Sequence, residues 1–422
     1  EVGVTLSDAQ LLLREIGETG GIVNIRCFLD YVFKGNPRTL GNFPGDAQSR
    51  YLRASGRRFI GFDDEYETQW TRDWTFVVLA DTQFGLLKNM CRPRNPEAEW
   101  SGSRNGLRRS LSAAFNFNFL SGQTWEEEKQ MAALSVKYIN KLMPKFAIVC
   151  GDMVDAMPET GRLMDKGRDQ DDELHQAQID DFKSVFADLH PDIHLVCVCG
   201  NHDVGNVPNR KTIADYRREF GDDYFAFSVG GCRCLVLNTQ LHNSLEVARW
   251  TDSAHRYMFA SEKEKEEAIE LALEQNAWLE SECRSISERP PPGHVFCFAH
   301  IPPFIRTPDE PKGYYNLEPS VRRPLLDKLK AAGCKKMFCG HYHQCAGGYD
   351  DDLEVVITGA AGTMLPLRAG LSPDDAAALS PVGQDFANKK CGTDVSGMRL
   401  VTVTRNWVHH KWYSFDQLAK NL

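Results

Sequence analysis

The chain has 422 residues, which exceeds an average single domain, so we expect one large domain with an appendage or two domains. Its composition, 42% apolar and 25% charged, is that of an ordinary folded protein. A formal net charge of -9 argues against a nucleic-acid partner, because nucleic-acid-binding proteins carry an excess of basic residues. The sequence also lacks an apolar run long enough to cross a bilayer.

The first 70 residues predict a helical appendage followed by a linker. Residues 1–35 contain two helical stretches separated by Gly20-Gly21, and residues 35–70 are rich in Gly, Pro, Arg and Asp. The helix–glycine–helix pattern resembles half of an EF-hand, but its loop lacks the alternating Asp or Asn ligands of a calcium site. We therefore interpret it as a packing or interaction appendage.

From Trp74 onward, strand-like and helical segments alternate. Helical spacing predicts three long helices, over residues 125–142, 172–189 and 261–286. Gly230-Gly231 and Arg405-Asn406 each separate two strand-like runs and predict hairpins. We interpret Arg322 and Arg323 as part of a solvated helix face.

Strands that are joined first by helices and later by hairpins predict an α/β fold over residues 71–422. The expected architecture is a four-layer sandwich of two mixed β-sheets flanked by helices. Residues 91–123 and 243–262 are predicted to be insertions beside strand ends. The 13 cysteines have no regular spacing, and several lie in strand-like runs, so we expect mostly free thiols and a cytoplasmic location.

Five short blocks of polar residues each directly follow a short apolar run. In chain order they are Asp81-Thr82-Gln83, Gly151-Asp152, Gly200-Asn201-His202-Asp203, His300 and Gly340-His341-Tyr342-His343. A buried strand must be apolar, and side chains at the carboxyl ends of adjacent strands converge in one crevice. Because the blocks supply carboxylate, amide and imidazole donors, they predict a centre for two divalent metal ions.

These blocks resemble the motifs of the calcineurin-like metallophosphoesterase family, D-x-Q, G-D, G-N-H-D, H and G-H-x-H. The segments 80–86 and 221–225 also resemble a serine/threonine phosphatase subgroup of that family. The likeness spans residues 70–415. It implies the sandwich fold, hydrolysis of phosphate esters and two divalent ions, which could be Mn, Mg, Fe or Zn.

The resemblance also implies a role for each residue of the blocks. The first metal would be held by Asp81, Gln83, Asp152 and His343. Asp152 would bridge to the second metal, completed by Asn201, His300 and His341. The family usually has His at the position of Gln83, and a neutral amide oxygen there favours Mn, Mg or Fe over Zn.

His202 resembles the catalytic histidine of the family, which does not bind metal. It would donate a proton to the leaving alkoxide, and Asp203 would orient its ring.

Three functions remain open. The first is a phosphomonoesterase that acts on phosphoserine or phosphothreonine in a phosphoprotein, or on a small phosphoester. The second is a phosphodiesterase or pyrophosphatase for a small nucleotide, because the same metals serve diesters and anhydrides. The third, an inactive scaffold, is disfavoured because every ligand and the catalytic His are present. The sequence leaves the oligomeric state open.

Overall fold

The computed structural model describes residues 50–87, 125–158, 172–248, 261–291, 293–365 and 395–421. Within these ranges the strands are β1 (Ala54–Ser55), β2 (Arg58–Phe59), β3 (Trp74–Leu79), β4 (Phe146–Cys150), β5 (His194–Val198), β6 (Phe225–Val229), β7 (Cys232–Val236), β8 (Val295–Phe298), β9 (Cys334–Cys339), β10 (Ala346–Asp350), β11 (Leu353–Ile357), β12 (Gly397–Val403) and β13 (Val408–Ser414). The helices are α1 (Asp64–Glu67), α2 (Glu126–Leu142), α3 (Asp172–Phe186), α4 (Asn201–Val204), α5 (Arg210–Phe220), α6 (Thr239–Val247), α7 (Glu262–Glu288), α8 (Pro319–Ala331) and α9 (Phe415–Asn421).

The strands form two mixed sheets. One has five strands in the order β13-β12-β3-β4-β5, and β3, β4 and β5 are parallel. The other has eight strands in the order β1-β2-β6-β7-β8-β9-β11-β10, and β7, β8, β9 and β11 are parallel. In both sheets, therefore, several parallel strands end at one edge.

Three apolar clusters separate four layers. Side chains of β3 alternate between two of them, as the two-residue period of a strand requires. Val77 and Leu79 pack with residues of α2 and α3, whereas Phe76 and Val78 lie in a second cluster that joins the two sheets. A third cluster joins the eight-stranded sheet to α7 and α8. The predicted four-layer sandwich is confirmed.

The three predicted long helices are confirmed, with ends that differ by at most three residues. Both hairpins are also confirmed, because β6 pairs with β7 and β12 pairs with β13 in antiparallel fashion. Gly230 and Gly231 have φ angles of 54° and 80°, the left-handed values that a tight two-residue turn needs. No helix in the described residues is long and apolar enough to span a membrane.

The described part of the predicted linker departs from the prediction. Residues 51–70 belong to a compact unit that runs from Tyr51 to Leu422, and β2 pairs with β6 at the end of the eight-stranded sheet. The cause is aromatic packing, since the ring of Phe59 stacks on that of Phe225 with centroids 6.0 Å apart. Residues 1–49 lie outside the described residues, so the helical appendage stays a prediction.

The predicted insertions, the cysteines and Arg322 have different outcomes. The insertion at 91–123 lies outside the described residues, and the one at 243–262 begins inside α6. Ten cysteines in the described residues are free and buried, as expected. The interpretation of Arg322 as part of a solvated helix face is wrong. Arg322 is fully buried, and its guanidinium donates to the backbone carbonyls of Leu317 and Pro308.

Candidate metal centre

All seven predicted metal ligands follow strand ends at the shared edge of the two sheets. Strands β3, β4 and β5 of one sheet end just before Asp81, Asp152 and Asn201. Strands β8 and β9 of the other sheet end just before His300 and His341. Each of the seven side chains is buried, with at most 5% of its surface exposed. The sandwich therefore brings donors from both sheets into one crevice.

The ligand atoms form two groups that share one carboxylate. Asp152, His300 and His341 offer atoms within 4.8 Å of one another, and so do Asp81, Asp152 and His343. His300 Nε2 lies 3.2 Å from Asp152 Oδ2, and His343 Nε2 lies 3.4 Å from Asp81 Oδ1. The common member, Asp152, is the residue that was predicted to bridge two metals.

Five of the seven predicted ligands have left-handed backbone angles. The φ values are 51° for Asp81, 34° for Gln83, 53° for Asp152, 69° for His341 and 58° for His343. Such angles cost free energy in a non-glycine residue and tend to occur where the surrounding structure imposes them at functional sites. The turns after β3, β4 and β9 are thus shaped for the side chains they carry.

Glycines let these turns approach one another. Gly151 has a φ of 86°, and a Cβ atom placed on it would collide with the ring of His300. A Cβ atom on Gly200 would collide with the Asp152 carboxylate. The two glycines are needed for close approach between ligand segments, not only for turning the chain.

Backbone carbonyls fix the orientation of all three imidazole rings. His300 Nδ1 donates to the carbonyl of Cys150 at 2.8 Å, and His343 Nδ1 donates to the carbonyl of Thr363 at 2.7 Å. His341 uses the other nitrogen and donates from Nε2 to the carbonyl of Tyr314 at 3.3 Å. A ring that donates from one nitrogen presents the lone pair of the other, as metal-binding histidines do.

The donor set fits divalent cations. His300 Nε2 lies 3.1 Å from Asn201 Oδ1 as well as 3.2 Å from Asp152 Oδ2, so three acceptors converge. Such a cluster needs a cation among the acceptors, either a proton or a metal. The buried Oε1 of Gln83 has no hydrogen-bond partner, which leaves this oxygen free to bind a metal at the first group.

The pKa values of His300 and Asp152 also indicate that the buried ligands require a positive charge among them. Burial alone would lower the pKa of His300, but the Asp152 carboxylate and then Asp81 raise it to about 9. Although burial opposes its ionisation, His300 and His202 hold the pKa of Asp152 below its usual range. Without metal, a proton on His300 supplies the positive charge that a bound cation would otherwise bring.

His202 lies beside the metal ligands and is the least buried group of the centre, with 19% of its side chain exposed. Its backbone N–H donates to Asp152 Oδ1 at 2.8 Å. Its Nδ1 donates to the backbone carbonyl of Asp155 at 2.5 Å, which leaves Nε2 to hold the proton that could be transferred.

Asp203 differs from the sequence expectation. Its carboxylate accepts backbone N–H groups from Gly200 at 2.6 Å, Asp152 at 2.9 Å and Met153 at 3.1 Å. Three such bonds use the carboxylate to hold the β4 and β5 turns together, whereas the His202 ring is held by Asp155. Asp203 therefore shapes the ligand turns, and the expectation that it orients the ring is wrong.

Comparison with known proteins decides the family. The family model described as calcineurin-like phosphoesterase matches residues 75–345, which include all five blocks. The chain belongs to the calcineurin-like phosphoesterase family.

Curated relatives agree with this assignment. The serine/threonine-protein phosphatase CPPED1 of Danio rerio is 34% identical over 375 residues, which cover 88% of this chain and 95% of the relative. The Homo sapiens protein of the same name is 32% identical over 380 residues, covering 89% of this chain and 94% of the relative. A solved dimetal phosphatase from Danio rerio has a TM-score of 0.42 and 12% identity, covering 82% of this chain and 100% of that one.

Asp155 was not among the predicted residues. Its carboxylate Oδ1 accepts from Gln83 Nε2 at 3.2 Å and lies 3.7 Å from His202 Nδ1. Gln178 fixes it in turn by accepting its backbone N–H at 3.1 Å. The spacing Gly151-Asp152-x-x-Asp155, three residues beyond a predicted ligand, was the sequence signal that could have pointed to it.

A second set of residues, also not predicted, supports His343. Glu128 on α2 is buried and accepts from Thr363 Oγ1 at 3.2 Å and from the Leu87 backbone at 2.7 Å. Thr363 in turn holds His343 through its carbonyl. Burial raises the pKa of Glu128.

Proposed function

We propose that this calcineurin-like phosphoesterase is a phosphomonoesterase that hydrolyses phosphoserine or phosphothreonine in proteins with the help of two divalent metal ions. The observation that carries the proposal is the shared position of Asp152 in two separate groups of ligand atoms. One carboxylate common to two groups suits a pair of cations better than a single one. The relatives named serine/threonine-protein phosphatase support the choice of substrate.

The proposed ligands are Asp81, Gln83, Asp152 and His343 for the first ion. Asp152, Asn201, His300 and His341 would hold the second. When bound, the ions would supply an activated water at neutral pH and would neutralise the phosphate oxygens during in-line displacement. Oxygen and imidazole donors without a thiolate favour Mn, Mg or Fe over Zn at the first position, where Gln83 replaces an imidazole.

His202 is proposed to donate the proton that the leaving alkoxide needs. The carbonyl of Asp155 fixes the ring through Nδ1, so Nε2 holds the transferable proton. The bond from the His202 backbone to Asp152 keeps the ring at a fixed position relative to the ligands. Protonation of the leaving group by a positioned acid contributes about 10²–10⁴ in rate.

We further propose a cytoplasmic location. The support is that ten buried cysteines of the described residues are free, which fits a reducing compartment.

The test couples metal analysis of the purified protein to a substrate panel at equal metal loading. The panel contains a phosphoserine peptide, a phosphothreonine peptide, a cyclic nucleotide and a nucleoside diphosphate. We expect about two ions per chain and release of inorganic phosphate from the peptides.

The matched variant is Asp152→Asn, which we expect to lose bound metal and turnover together because both groups share this carboxylate. Turnover of the nucleotides alone would replace the proposal with the phosphodiesterase or pyrophosphatase alternative. One ion per chain with full activity would overturn the two-metal centre.

A further inference from the structure

One buried side chain in the first turn of α6 has no hydrogen-bond partner at either polar atom. Gln240 is fully buried, and neither its amide oxygen nor its amide nitrogen meets a donor or acceptor. A buried amide without partners costs free energy, so native proteins rarely keep one unless a water, ion or ligand completes it. We therefore expect the Gln240 amide to hydrogen-bond to a group that is not part of the protein.

The amino-terminal end of α6 places Gln240 near the second group of metal ligands. Helix α6 follows β7, the neighbour of β8 in the sheet. The residue before Gln240, Thr239, accepts at Oγ1 a 2.8 Å hydrogen bond from the backbone N–H of Ile301. Ile301 follows His300 directly in the chain, so Gln240 lies one residue from a contact to the segment that carries this ligand.

A second contact joins the same face of α6 to the loop that follows the catalytic histidine. Residues three apart share one face of a helix, so Gln240 and Asn243 lie on the same side. Asn243 Nδ2 donates to the backbone carbonyl of Asn206 at 3.0 Å, and Asn206 lies only four residues after His202. Gln240 thus lies on the face that meets the loop after α4.

The other face of α6 is occupied by apolar packing. Leu241 and Leu245 pack with Ile213 of α5 and Leu271 of α7. This packing fixes the rotation of the helix about its axis, so the face of Gln240 and Asn243 stays on the side that contacts the loop after α4. Full burial does not separate Gln240 from the centre, because Asn201 and His300 are equally buried.

We propose that Gln240 is a substrate-binding residue whose side-chain N–H group donates a hydrogen bond to a phosphoryl oxygen of the bound phosphoester. This inference rests on the proposed phosphoesterase function. The phosphate group brings several charged acceptor oxygens, and a hydrogen bond to a charged acceptor is stronger than one between neutral groups. The neutral amide donates its N–H to a phosphoryl oxygen and adds no negative charge beside the phosphate, whereas a carboxylate would repel it.

The test measures binding of inorganic phosphate to the metal-loaded full-length protein by calorimetry, together with metal content and thermal midpoint. Gln240→Leu keeps the size of the side chain and removes both polar atoms. We expect its phosphate Kd to rise about tenfold to a hundredfold, the loss of one hydrogen bond to a charged group. The metal content should stay at the wild-type value. The thermal midpoint should be unchanged or higher, because two unpartnered buried atoms are gone.

The control is Ser244→Ala, one turn further along α6, which removes a hydroxyl that donates to the Gln240 backbone carbonyl. Its phosphate Kd should equal that of the wild type. Gln240→Glu is the second variant, and its negative charge should weaken phosphate binding more than leucine does. If that variant is unfolded, the leucine variant alone decides.

Two outcomes overturn the inference. A wild-type phosphate Kd in Gln240→Leu would mean that the amide meets only buried water. An equal weakening in Ser244→Ala would mean that displacement of α6 is the cause. Failure of the proposed function looks different, because the wild-type protein would then bind metal yet release no phosphate from phosphopeptides.

Discussion

At the scale of single residues, the proton on His202 should separate substrates by their leaving groups. An alkyl phosphate such as phosphoserine leaves as a strongly basic alkoxide, whereas an activated aryl phosphate needs little protonation. We expect His202→Ala to lower kcat on a phosphoserine peptide by about 10²–10⁴ and on an activated aryl phosphate by much less. Steady-state kinetics on both substrates measures the difference.

Metal content is the control for that variant. His202 has no atom in either group of ligand atoms, so the alanine variant should bind as much metal as the wild type. Equal losses on the two substrates, or full activity on the peptide, would contradict the acid role.

The pKa of His300 gives metal binding a pH dependence. The pKa of the metal-free ring is raised to about 9, so below that pH the ring carries a proton that a metal must displace. Protons therefore compete with metal, and the apparent affinity at the second group should rise with pH, about tenfold per unit up to pH 9. Titration of the metal-free protein with Mn²⁺ at several pH values measures this slope, and a flat profile would contradict it.

At the scale of elements, a buried charge joins the β1–β2 turn to the sheet. Asp223 has no exposed side-chain surface and contacts Arg217 at 2.7 Å and Arg57 at 3.2 Å. Arg57 also lies over the ring of Tyr224, 3.5 Å from its centroid. Two cations from different elements thus share one carboxylate.

This sharing predicts non-additive losses of stability. Arg57→Ala and Arg217→Ala each leave Asp223 with one cation and should cost about 1 kcal/mol. The double variant leaves a buried carboxylate without a cation, so it should cost about 3 kcal/mol or more. Urea unfolding of the four proteins measures the coupling. Additive losses would show that Asp223 is already satisfied by Asn238, which donates to it at 3.0 Å.

The elements that could be predicted are those whose signal lies in residue type. The apolar run before Asp81 and the Gly230-Gly231 pair specify a strand end and a turn through side chains alone. The contact between Asp155 and His202 could not be predicted from residue type. It uses the backbone carbonyl of Asp155, which any residue at that position would possess. Arg322 was misplaced for a related reason, since only the folded loop supplies the carbonyls that bind its guanidinium.

At the scale of the whole molecule, the order of the polar blocks predicted the fold and the convergence of the ligands. Each block marks a strand end, and parallel strands bring their ends to one edge. The same reasoning failed for residues 51–70, whose Gly, Pro and charged residues indicated a linker. Aromatic contacts made far along the chain, such as Phe59 with Phe225, decide their structure, and composition does not encode such contacts.

The folded state of residues 51–70 predicts how the chain tolerates truncation. Lys145, directly before β4, forms an ion pair with Glu67 at 2.8 Å. Glu67 also accepts a hydrogen bond from the backbone N–H of Gly230 at 2.5 Å. Deletion of residues 1–70 removes these bonds together with β1, β2 and the Phe59 packing. We therefore expect the 1–70 deletion to have a thermal midpoint clearly below that of the 1–49 deletion and to bind ANS, a dye for exposed apolar surface.

The 1–49 deletion is the matched control, since it keeps every contact of residues 50–70 with the sheet. A further variant, Phe59→Ala in the 1–49 deletion, tests the cause directly. Loss of a buried aromatic ring costs about 3–5 kcal/mol, so this substitution should account for much of the difference. Equal midpoints for the two deletions would mean that β1 and β2 rest on the sheet without stabilising it. The prediction from composition, that residues 51–70 are a linker that does not stabilise the fold, would then be correct.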